Sequence, residues 1–94
     1  MVKRNNQMGI ALKTLIDQTA SYSTEATDKE MKAMYRDDMR LFSEVAVALT
    51  FGNFKKASSY VDAMDTEPRE QVVMALVKDL GADVVAEKFG YEVR

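Results

Sequence analysis

The sequence predicts an all-α fold, a compact bundle-like domain of four to five helices with one long central helix. Three observations carry this prediction. Apolar residues recur at spacings of three and four along five segments, which gathers each set on one side of an α-helix. Gly52, Gly81, Gly90 and Pro68 fall at the joints between those segments, where glycine ends a helix and proline is tolerated in a first turn. Strand-like patterning is confined to Val72-Val73, Val84-Val85 and Tyr91-Glu92-Val93, runs too short to build a sheet.

The first helix is expected over 7–20, where Met8, Ala11, Leu12, Leu15, Ile16 and Thr19 share a face opposite Lys13, Asp17 and Gln18. The polar tract Ser21-Tyr22-Ser23-Thr24 reads as a break. The long helix spans 25–50. Thr27 with Glu30 makes a capping box at its start, and Met31, Tyr35, Met39, Phe42, Ala46 and Leu49 form its apolar stripe. That stripe widens over Val45–Leu49, which marks this half as the centre of the core. Gly52 suits the left-handed position after the helix and Asn53 caps the next one, expected over 54–64 with Phe54, Ala57, Val61 and Met64 inward. Phe51 and Phe54 straddle the joint in the manner of a hydrophobic staple. Asp65 or Thr66 caps a fourth helix over 67–80, in which Val72, Val73, Leu76, Val77 and Leu80 face the core. A short last helix over 82–89 buries Val84, Val85 and Phe89 and ends at Gly90.

One domain over 1–94 is expected, with fraying at 1–6 and 91–94, since 94 residues that are 47% hydrophobic and 30% charged suffice for one modest core. The absence of cysteine excludes disulfides, thiolate metal sites and cysteine nucleophiles; the absence of histidine excludes imidazole ligands and bases. No phosphate loop or EF-hand spacing is present, and no carboxylates pair convincingly, so neither catalysis nor a cofactor or metal is expected. The first apolar stretch is interrupted by Lys13 and Asp17, so neither a membrane span nor a signal peptide is expected, and the cytoplasm is the expected compartment.

The sequence points instead to a non-enzymatic helical protein that docks on another protein. Asp79, Asp83 and Glu87 lie four apart and form an acidic stripe suited to a basic partner. Self-association as a dimer is expected through Met31, Tyr35 and Met39, because the long helix offers more apolar surface than short neighbours cover. The alternative is a nucleic-acid-associated protein using Lys3, Arg4, Lys13, Lys55 and Lys56 against phosphates. Residues 1–60 carry net +2 and residues 61–94 net −4, and that acidic second part disfavours contact with DNA.

The run Val85-Ala86-Glu87-Lys88-Phe89-Gly90 resembles the first helix and turn of a helix-turn-helix unit. The resemblance implies Ala86 as the small residue at a helix crossing and Gly90 as the turn residue. The recognition helix would begin past Tyr91, outside the run that carries the resemblance, so what it implies is similar packing rather than DNA reading.

Overall fold

The structure, a computed structural model, describes residues 9–91 and is all-helical over them. Its elements are α1 (Ile10–Glu25), α2 (Lys29–Thr50), α3 (Phe54–Asp62), α4 (Thr66–Leu80) and α5 (Ala82–Val84), the last running into a π-helical turn over Val85–Phe89. The fraying expected at 1–6 and 91–94 lies outside the described residues except at Tyr91, which is partly buried against the core and donates to Asp62.

Local chemistry sets most of the joints. Gly52 adopts φ 72°, and Gly52 N–H and Asn53 N–H donate to the carbonyls of Leu49 and Ala48, the paired bonds of a Schellman closure. The Asn53 side chain then accepts the Lys56 N–H at 3.1 Å and opens α3. Gly90, at φ 78° and ψ 18°, ends the π turn as a left-handed residue. At the start of α2 the cap is Asp28, not Thr27: its carboxylate accepts the Glu30 N–H at 2.8 Å. Asp offers an anion to the positive end of the helix, which the Thr27 hydroxyl of the expected capping box does not.

Packing places α1 and α2 side by side as a hairpin, α4 against α1, α3 against α2, and the π turn against α3 and α4. The core is Leu12 of α1, Phe42, Val45, Ala46 and Ala48 of α2, Ala57, Val61 and Met64 at α3, Val72 and Leu76 of α4, and Val85 and Phe89. Leu15, Ile16, Leu49, Phe54, Val73, Val77 and Leu80, expected inward, pack around it as partly buried residues. Phe89 meets Phe54 edge to face, with ring centroids 6.1 Å apart, and Lys88 Nζ lies 5.6 Å from the Phe54 centroid.

Three further expectations are corrected. Helix α1 does not break at 21–24 but continues to Glu25. The Thr19 and Thr24 hydroxyls donate to the carbonyls of Leu15 and Ala20, so these polar side chains find partners inside the helix, and the Tyr22 ring packs on Tyr35. Phe51 is 82% exposed and staples nothing; only Phe54 turns inward. Ala86, assigned to a helix crossing by the helix-turn-helix resemblance, is exposed on a π turn.

Candidate functional site

The two ends of the α1–α2 hairpin differ in cover. Helix α4 is antiparallel to α1, its C-terminal Asp79 lying at the start of α1. The groove between them is lined on α1 as far as Gln18 and on α4 back to Glu70. Helix α1 runs on for seven residues beyond Gln18. On α2 every buried residue lies from Phe42 onward, so the turns before it, which meet the far end of α1, have little cover. The 22 residues of α2 extend about 33 Å and the 15 of α4 about 22 Å, which is why the hairpin outruns its cover.

At the projecting end Tyr22 is 52%, Met31 42% and Met34 48% exposed. The Tyr22 and Tyr35 rings stand 5.9 Å apart at an interplanar angle of 40°. Together with Met31, Glu25 and Asp28 they line an open notch of about 300 Å³. The acidic side chains on this part of the molecule influence one another. Burial, then the charges of Asp65, Asp37 and Glu67, raise the Asp38 pKa above its ordinary value.

Of the residues singled out in the sequence, Met31 and Tyr35 meet at this notch, whereas Met39 lies further along α2 and is half-buried. Asp79, Asp83 and Glu87 do not share one continuous helix face, because Gly81, at φ 97°, ends α4 between the first and the second. The Asp79 side chain is held within the fold, where its two carboxylate oxygens accept the Ala11 and Leu12 N–H groups at 2.8 and 2.9 Å. It thereby caps α1, whose N-cap residue Gly9 has no side chain to do so. Asp83 and Glu87 are exposed. Lys13 pairs with Asp17 on the surface at 3.2 Å, and Lys55 and Lys56 are exposed in the first turn of α3. Lys3 and Arg4 lie outside the described residues.

Sequence reasoning missed Tyr22, hidden in a tract read as a break. Its signal was present: it stands three residues after Thr19 and seven after Leu15, which continues the helical period. A second depression, the α1–α4 groove of about 980 Å³, has Ile10 and Met74 exposed along it and charges of both signs, Glu70 and Asp79 with Lys78.

Among the described residues no three acidic side chains converge to hold a metal ion, and no helix is long and apolar enough to cross a membrane. Over the described residues, fold and surface define a small all-helical domain in which no catalytic motif is found. No family model, no curated protein and no solved structure matches the chain.

Proposed function

We propose that this chain is a non-enzymatic helical docking protein that engages another protein through the projecting end of its α1–α2 hairpin. The observation that carries the reading is the exposure of Tyr22, Met31 and Met34 together at the notch end of the α1–α2 hairpin, beside an aromatic pair; Ile10, Val47 and Phe51 are exposed toward the other end. Scattered exposed apolar residues are ordinary; aromatic and methionine side chains gathered at one uncovered end are the composition of interface cores. Tyrosine and methionine also suit docking physically, the first by joining apolar area to a polar tip and the second by adapting its shape. The same end serves the self-association expected from Met31 and Tyr35, with a second copy as the partner.

Site-specific photo-crosslinking tests the reading. A benzophenone side chain at position 34, in the cell of origin, should give discrete protein adducts, and the same group at exposed Glu87 should not. An adduct of twice the chain mass identifies a second copy. Absence of adducts at position 34, or adducts that vanish with nuclease treatment, refutes docking through the hairpin.

A further inference from the structure

We infer that the notch between Tyr22 and Tyr35 is a binding site for an organic cation, the side chain of a lysine or arginine on a basic segment of the partner protein. This inference rests on the docking reading and adds to it the chemistry of the partner.

Two observations lead to it independently. The first is the ring pair. Tyr22 and Tyr35 stand 5.9 Å apart and tilted by 40°, and Tyr22 is half exposed, so the pair offers π surface to a group entering from solvent. The negative face of an aromatic ring attracts ammonium and guanidinium groups, and two rings with a polarizable Met31 beside them suit the aliphatic stem as well as the charged head. The second is the sign of the charge. Glu25 and Asp28 are the charged residues lining the notch. Among the described residues the ion pair is Lys13–Asp17, nearer the other end of α1, so no cation of those residues pairs with either carboxylate, although Lys29 and Lys32 are near in sequence. One oxygen of Asp28 accepts the Glu30 N–H, which anchors that carboxylate at the start of α2.

The α1–α4 groove is larger but does not select an occupant in this way. It brings Lys78 together with Glu70 and Asp79, and Asp79 is already committed to capping α1. At the notch the apolar walls and the two carboxylates, Glu25 and the α2 cap Asp28, select the same kind of group. Along the exposed surface of α2, Glu30 and Asp37 are offset by Lys29, Arg36 and Arg40, so the selection of a cation rests on the notch itself.

The test uses the whole chain, isotope-labelled for nuclear magnetic resonance. It is titrated with a blocked pentapeptide, Ala-Leu-Lys-Leu-Ala, and with the same peptide carrying norleucine in place of lysine. The lysine peptide should produce saturable shifts centred on Tyr22, Met31 and Tyr35, and should bind at least fivefold more tightly than the norleucine peptide. Tyr22→Leu, which keeps an apolar side chain but removes the ring, and the pair Glu25→Gln with Asp28→Asn, which keeps a helix cap, should each abolish that preference while the remaining spectrum stays native. Equal binding of the two peptides, no saturable shifts, or a preference that survives both variants overturns the cation site. If crosslinking at position 34 succeeds while the lysine preference is absent, the cation site falls and docking stands. A lysine preference without crosslinked adducts supports the site and refutes the docking reading.

Discussion

The opposite ends of the α1–α2 hairpin are built from the same kinds of residue and meet different fates. At the α4 end, the start of α1 receives a carboxylate from 68 residues away, and Leu12 lies in a core shared with all the longer helices. At the projecting end the cap of α2 is local, supplied by Asp28; large apolar side chains meet solvent at both ends, Tyr22, Met31 and Met34 here and Ile10, Val47 and Phe51 at the other, but only the α4 end has a fully buried layer beneath them. All the buried residues of α2 lie from Phe42 onward. The difference teaches that amphipathic patterning alone does not bury a surface. Met31 and Phe42 belong to one stripe, and only the second has a layer of helices over it. Burial on α2 is accordingly concentrated in its second half, and stability with it.

The largest expected effect comes from opening the covered end. Phe42→Ala should lower unfolding free energy by about 3–5 kcal/mol in urea denaturation, since a fully buried ring is replaced by a cavity. A loss comparable to that of an exposed methionine would break the comparison.

Next comes the long-range cap. Asp79→Ala should cost about 1–3 kcal/mol by leaving two partly buried N–H groups without their acceptor. Gly9→Ala should act through the same contact, because a β-carbon there would overlap the Asp79 carboxylate and force it away. Hydrogen exchange should then accelerate at Ala11 and Leu12 before the amides of α2 between Phe42 and Ala48 respond. Uniform acceleration would show that this cap has no local role.

A smaller effect is expected where Tyr91 donates its phenolic hydrogen to Asp62 and ties the end of the described chain to α3. Tyr91→Phe should cost at most about 1 kcal/mol. Burial first, then the bond to Asp62, push the Tyr91 pKa up to about 12. Because the folded value lies above the ordinary 10, this contribution should be intact below pH 10 and decline as pH rises toward 12. A Tyr91→Phe difference that is flat across that alkaline range would remove the linkage.

Asp38 should give a change of opposite sign. Its carboxyl titrates above its ordinary 3.8, so at neutral pH the charged form opposes folding. Asp38→Asn should therefore raise the melting temperature at pH 7. Lowering the pH through the raised value lets the folded protein take up a proton, and the advantage of the variant should shrink toward the ordinary carboxylate range. A variant less stable than the parent at pH 7 would show that Asp38 is satisfied by a contact worth more than its repulsions.

The smallest expected effect sharpens the comparison from the other side. Met34→Ala should change stability by under about 0.5 kcal/mol, because the side chain is half exposed. Its effect belongs in the yield of crosslinked or co-purified partner. A loss of several kcal/mol would place Met34 in the folding core and remove it from the docking surface.

Sequence by itself determined the features that depend on a few consecutive residues. The five helical segments, the closure at Gly52, the cap at Asn53 and the inward positions of Leu12, Phe42, Val45, Val61, Leu76, Val85 and Phe89 were legible, because helical period and cap chemistry act over one or two turns. The extension of α1 through Thr19 and Tyr22 was less legible: propensity argues against that tract, and packing on Tyr35 outweighs it. Tertiary structure alone decided what Asp79 does. A carboxylate at one residue of an acidic series caps a helix distant in sequence, and no local pattern encodes that meeting. It also decided the candidate site. Periodicity states which side of α2 is apolar, but whether Met31 and Met34 are covered depends on where α4 ends relative to the hairpin, and that is set by the packing of separate helices.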